Sequence, residues 1–316
     1  MGHDHTHSHP ARPAISGGKL GLAVILTVAF VIGESVAGYF ARSLALLSDA
    51  GHNLADAAAL GFSWYALWIA RKPAHKGMTY GYHRVGILAA LVNAVSLVVI
   101  ALLIFVEAVR RVRHPGAVHG WLMIVVAGVA IGVNLVIGLW LRAGSKNDLN
   151  VRSAYVHMMG DAVSALGVVL AGVAVVVSGW RLADPVVSFL IGALILWSSW
   201  GVLKESTGVL LEGTPDGMDM AAVERTIALV PGVLGIHDLH VWTVGPGVIA
   251  CSCHILVAEQ SVREGQQILK AVVGGLKRHH GINHSTVQVE VEGHESNELY
   301  CSIAPTAGGM PVGHHH

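Results

Sequence analysis

The chain has 316 residues, 53% of them hydrophobic and only 13% charged, with a mean hydropathy of +0.59, far from the charge content of an ordinary soluble domain. Twenty Lys and Arg balance twenty Asp and Glu, so net charge gives no reason to expect nucleic acid or an acidic partner. Histidine, also twenty, is the ionisable residue in excess, and three cysteines (Cys251, Cys253 and Cys301) are too few for a disulfide framework.

The chain opens on a polar tract, Gly2-His-Asp-His-Thr-His-Ser-His9, whose composition suits a disordered metal-collecting arm. No cleaved leader is expected, because the first apolar run is too long and has no credible cleavage site. Crossing the hydrocarbon core takes about 20 apolar residues. Six runs meet that need, at about 18–40, 45–70, 86–109, 120–142, 152–178 and 182–203, and they predict an α-helical membrane protein with six transmembrane helices. If the N-terminus is cytoplasmic, the inner segments hold Arg12, Lys19, Arg71, Lys72, Lys76, Arg84, Arg142, Lys146, Arg152 and Lys204. The outer ones hold Arg42, Arg110, Arg111, Arg113 and Arg181. That bias places both termini inside, with the Arg110–Arg113 cluster as its one awkward feature.

After Gly213-Thr-Pro215 hydropathy falls, and helix and strand signals alternate. Residues 219–230 read as a helix and 236–244 and 248–257 as strands. A helix over 262–280 is opened by Ser261 with Glu264 three residues on, a capping box. The final strand, Thr286 to Glu292, alternates Val287, Val289 and Val291 with Gln288, Glu290 and Glu292. The order αββαβ predicts a small α+β domain with helices on one sheet face and the other face free. The predicted divisions are a tail over 1–17, a membrane domain over 18–212, a soluble domain over 213–293 and a tail over 294–316. The closing triplet His314-His-His316 suits either a native arm or a cloning remnant.

Two stretches inside the apolar runs carry chemistry: His52-Asn-Leu-Ala-Asp56 and His157-Met-Met-Gly-Asp161. A histidine and an aspartate four apart share a helix face, so two such helices face to face would gather two imidazoles and two carboxylates. Ionisable groups at membrane depth cost at least a few kcal/mol, roughly, and are functional by default. A lone histidine on an apolar helix is more often a packed residue bonded to a carbonyl; here that reading would have to hold twice, at one spacing and in one order. Nitrogen and oxygen donors in a four-ligand set suit Zn2+, and the lack of thiols near the spans argues against copper(I). Asp49, one turn before His52, suits either an entry path or a cap. Interhelical hydrogen bonding accounts for most of Glu34, Asn53, Asn93, Glu107, Asn134 and Asp184. HExxH and Walker A sequences are absent.

Ser43 to Asp56, Tyr80-Gly-Tyr-His-Arg84, Leu149 to Asp161, Leu211-Glu-Gly-Thr-Pro215 and His237-Asp-Leu-His-Val-Trp242 together resemble the cation diffusion facilitator family, over about residues 18–293, and most nearly its bacterial zinc exporters. The resemblance implies a homodimer in the bacterial inner membrane, with six spans per subunit and a cytoplasmic ferredoxin-like domain. It also implies export of Zn2+ in exchange for H+, without an organic cofactor. The family's transport ligands fall on His52, Asp56, His157 and Asp161, where histidine at the first position of each pair goes with zinc. A second site in the loop after span two falls on His75 and His83, although Met78 and Tyr82 stand where relatives have histidines and Gly86 where many have an acid. A regulatory site in the soluble domain falls on His237, His254 and Glu290. Strand parity points His254 and Glu290 away from the apolar face of Ile249, Cys251, Cys253, Ile255 and Val257. It puts His240, rather than His237, on the polar side, unless the strand starts after His237; solvated strand histidines are the competing reading. A zinc sensor anchored by its spans, and a zinc hydrolase with an open coordination position, are the alternative functions.

Overall fold

The computed structural model of the chain describes residues 17–142, 149–291 and 299–300. The expected tails over 1–17 and 294–316 fall outside these residues except at Gly17, which opens the first helix, and at 299–300. There the Leu299 carbonyl accepts from the Leu239 amide and the Leu299 side chain packs on the core of the soluble part, so this stretch is not a free tail. Six long helices come first: α1 (Gly17–Ala41), α2 (Leu44–Ala70), α3 (Val85–Arg113), α4 (Gly120–Arg142), α5 (Leu149–Ser178) and α6 (Ala183–Leu210). Each covers its predicted run, and α6 continues past Lys204 to Leu210. A bilayer offers the backbone no partners, so apolar runs of this length satisfy their amides internally as helix. Among the described residues, α3 to α6 are long and apolar enough to cross a membrane. In α2 the acids and histidine at Asp49, His52 and Asp56 dilute the apolar run.

The chain divides into two units, one within Met1–Trp64 and Val92–Val202, the other within Tyr65–Leu91 and Leu203–His316. In the first, the core is built mostly of small side chains, among them Ala45, Ala101, Ala127, Ala165 and Ala171, with Leu46, Met123, Val168 and Ile195 filling between. Where lipid is as apolar as the side chains, close packing rather than hydrophobicity holds helices together. The α4–α5 crossing shows it. A Cβ on Gly120 would stand 2.7 Å from the carbonyl oxygen of Gly172, and one on Gly172 would stand 2.8 Å from that of Gly120. Gly172→Val is therefore expected to force these helices apart and destabilise the protein by about 1–3 kcal/mol, read as a lower thermal midpoint in detergent; an unchanged midpoint would contradict this packing.

The α1–α2 corner is pinned from α6. Arg42 takes a left-handed φ of 52°, and the Ser43 hydroxyl and the amides of Leu44 and Ala45 all donate to the buried Asp184 carboxylate. Asp184 thus supplies the negative charge that a helix N-terminus favours, while Ser43 Oγ accepts from the Leu46 amide as the local cap.

The second unit contains α7 (Met220–Ala228), β1 (Val233–Gly245), β2 (Val248–Val257), α8 (Val262–His280) and β3 (His284–Val291), the expected αββαβ order. The sheet runs β1-β2-β3, antiparallel between β1 and β2 and parallel between β2 and β3, as a crossover through α8 requires. The Ser261–Glu264 capping box is formed, and Gly281 ends α8 at φ 67°. Val223, Ile227, Val272 and Leu276 of the helices pack on Cys251, Cys253, Ile255 and Val257, so the two cysteines are core residues, as parity predicts. In β3 the valines share that face by register with Cys253, Ile255 and Val257. At the edge of the sheet, however, Val289 and Val291 remain exposed, and Glu290 is the buried residue.

Candidate metal centres

His52 and Asp56 lie one turn apart on α2, and His157 and Asp161 lie one turn apart on α5. The two pairs close into a ring. His52 Nε2 stands 3.5 Å from Asp56 Oδ2 and 3.7 Å from Asp161 Oδ1, and His157 Nε2 stands 3.2 Å from Asp56 Oδ2 and 3.7 Å from Asp161 Oδ2. Each imidazole faces both carboxylates, with the two rings 6.1 Å apart between centroids. Donor atoms bound tetrahedrally at zinc distances of 2.0–2.2 Å are separated from one another by roughly 3.3–3.6 Å. The four His–Asp edges of the ring come close to that spacing, but no three of its ligand atoms lie within 4.8 Å of one another, so the ring is wider across than a closed tetrahedral site. Asp56 Oδ2 and His52 Nδ1 are buried without a hydrogen-bond partner. An orphaned carboxylate oxygen beside two imidazoles fits the donor set of a divalent cation.

This ring lines a cavity of about 480 Å³ that also takes in Asn93, Ser164 and Ser199 among apolar side chains of α3 and α6. Behind it lies a buried polar layer. Asp49 accepts from the Ser164 hydroxyl at 3.1 Å, and Asn53 donates to Glu34 at 3.0 Å. The expectation of interhelical hydrogen bonds is met here and at Asp184, whereas Glu107 pairs along its own helix with Arg111.

In the second unit, His237, His254 and Glu290 place one ligand atom each within 4.8 Å of the others, the one such group of three among the described residues. His237 Nε2 is 2.8 Å from Glu290 Oε2, and His254 Nδ1 is 3.0 Å from Glu290 Oε1. Burial favours the neutral acid at Glu290, but its bonds with His237 and Gln288 and the two nearby imidazoles outweigh it and hold the carboxyl below its ordinary range. The parity conflict at His237 has a structural answer. The strand does not begin after His237; it starts at Val233, and the register shifts between His237 and His240, where Asp238 takes φ 53°. This bulge sets His237 opposite His254 and His240 opposite Ser252, so both histidines join the polar face.

Sequence reading missed Asp238. Its carboxylate lies 2.9 Å from His240 Nε2 and 3.6 Å from His254 Nε2, the position of a group that fixes a ligand imidazole's tautomer and orientation. An acid between two strand histidines was the available signal. The loop histidines are placed differently. His75 Nδ1 accepts from the Gly77 amide and its Nε2 meets the Tyr82 hydroxyl at 2.9 Å, so both nitrogens serve the turn. His83 packs against Gly245, where a Cβ would come within 2.6 Å of the histidine Cβ. Among the described residues the two do not join a group of three metal-ligating side chains.

Residues 20–211 match the cation efflux transmembrane domain, and residues 215–292 match the cytoplasmic domain of cation efflux proteins. A cadmium, cobalt and zinc/H(+)-K(+) antiporter of Bacillus subtilis is 36% identical over 320 residues, spanning all of both chains. The cation efflux system protein CzcD of an Alcaligenes species is 38% identical over 291 residues, covering 92% of this chain and 91% of its own. The zinc transporter ZitB of Escherichia coli is 36% identical over 296 residues, covering 92% and 93%.

Proposed function

The chain belongs to the cation efflux family, that is, the cation diffusion facilitators, a family of multi-pass membrane transporters rather than enzymes, and from that premise we propose that it exports Zn2+ from the cytosol in exchange for H+. The observation that carries this reading is the His52, Asp56, His157, Asp161 ring, in which each imidazole faces both carboxylates and whose two nitrogen and two oxygen donors are of the types that suit zinc. Zinc is the cargo, held at a fixed site while the bundle alternates between inward- and outward-open states. The name of the Bacillus subtilis relative couples zinc to H(+) and K(+), which supports exchange. In this reading α1 to α6 all span the inner membrane, both termini face the cytosol, and the soluble domain after Gly213 is ferredoxin-like and dimerises with a second copy. Expression in cells stripped of their own zinc exporters tests it: the chain should restore growth in high zinc, and His157→Ala should not. A sensor without transport would restore neither cell's growth, and equal rescue by both chains would overturn the role of the ring.

The soluble site is proposed as regulatory. His237, His254 and Glu290 would hold a Zn2+, with Asp238 near His254 Nε2 orienting that ring and His254 Nδ1, 3.0 Å from Glu290 Oε1, as its ligand atom. Neutralising this face is expected to let the soluble domains of two protomers approach. A distance probe on each domain should shorten from zero to saturating zinc in the native chain and stay constant in Glu290→Gln. An unchanged distance in the native chain would refute metal-driven closure.

A further inference from the structure

Near Asp184, at one end of the first unit, a cleft of about 400 Å³ opens between the end of α3, the α1–α2 corner and the start of α6. Four guanidiniums line it, from Arg42, Arg110, Arg111 and Arg181, with the imidazole of His114 beside them. The two carboxylates in its wall are already engaged. Asp184 is fully buried under the Ser43 hydroxyl and the amides of Leu44 and Ala45, with Arg111 at 3.4 Å. Glu107 is held by Arg111 at 3.0 Å and reached by Arg110 at 3.5 Å. Arg111 is fixed further by donating to the Arg42 carbonyl at 2.6 Å. Arg42 and Arg181 are exposed and have no ion pair among the described residues, so the cleft keeps a surplus of positive charge around a rigid guanidinium. Such forks match the geometry of phosphate oxygens.

A second cavity of about 280 Å³ adjoins this cleft, sharing Pro185 with it, and runs between α3 and α6. Val109, Val112, Val186, Phe189 and Leu190 line it together with Arg113, and its exposed surface is almost wholly apolar. A basic cleft joined to an apolar groove along lipid-facing helices has the polarity of one molecule, an anionic amphiphile. We propose that the cleft binds the phosphate of an anionic glycerophospholipid, with one of its acyl chains lying in the groove between α3 and α6. A free phosphate would use the cleft alone, so the apolar groove favours the lipid. The site also gives the Arg110–Arg113 cluster, which runs against the charge bias of the loops, a partner of opposite sign.

Native mass spectrometry of the full chain in mild detergent tests this, with phosphatidylglycerol and phosphatidylcholine of identical acyl chains as probes. The native chain should retain phosphatidylglycerol preferentially, and Arg42→Gln/Arg181→Gln should bind it roughly thirtyfold more weakly, from the usual contribution of two basic residues at an anionic lipid surface. Arg42→Lys/Arg181→Lys should keep most of the retention. If the glutamine variant does not fold, raising the salt concentration on the native chain gives the same readout, since retention through the cleft must fall. Equal retention of the two lipids, or salt-independent retention, would overturn the proposal. So would inorganic phosphate that competes as well as the lipid does, which would make the cleft a free-anion site. Dimer formation that blocks lipid retention would likewise overturn it, assigning the groove to a second copy.

Discussion

Asp161→Asn is expected to cut zinc flux by about 100-fold or more and to erase its dependence on a pH gradient. Zn2+ with two aspartates and two neutral imidazoles sums to zero, the least costly state for a site inside a bundle of small apolar residues. Replacing one aspartate leaves the loaded site at +1, and an unpaired charge at membrane depth costs roughly 2.5–3.5 kcal/mol even on the mildest scale, which is about two orders of magnitude in an equilibrium constant. Without the metal the site would hold two carboxylates with no cation between them, so in the proposed exchange protons would take its place on the return stroke. Asp161 is buried and faces both His52 and His157, so under the proposed mechanism its loss would remove a metal ligand and a proton carrier together. Measured by a zinc dye in sealed vesicles, wild-type flux with unchanged pH dependence in this variant would refute the shared role.

His52→Asp is expected to shift selectivity rather than abolish transport. It exchanges a borderline nitrogen donor for a hard oxygen, and an oxygen-rich set favours Mn2+ relative to Zn2+. His52 lies within 3.7 Å of both ring carboxylates, and a shorter aspartate there adds a third negative charge close to them. The preference for zinc over manganese should fall by about tenfold or more in competition transport, equivalent to about 1.4 kcal/mol. A preference unchanged from the native chain would remove His52 from the selectivity ligands.

The ring and the αββαβ order were legible in the sequence because both rest on short-range periodicity. A histidine and an aspartate four positions apart share one helix face, and alternation of Ile249, Cys251, Cys253, Ile255 and Val257 marks one strand face. What lay beyond reach depends on the backbone or on distant pairing. The left-handed turn at Asp238 and the register shift it brings cannot be read from alternation, so His237 seemed misplaced on a regular strand. Asp184 caps α2 from about 140 residues away in sequence, and no local signal links it to Ser43. Edge position, not hydrophobicity, decides that Val291 is exposed while Glu290 is buried. The loop histidines were assigned by resemblance alone, and the turn bonds of His75 are what that resemblance did not contain.

Purified chain in sealed liposomes, with zinc and pH dyes read together, tests zinc–proton exchange at the ring most directly. With an acidic lumen and zinc outside, zinc should enter while protons leave. Reversing the pH gradient should reverse the zinc flux, and His157→Ala or Asp161→Asn should stop both fluxes. Zinc entry with no proton movement, at a rate indifferent to the pH gradient, would contradict exchange at this site.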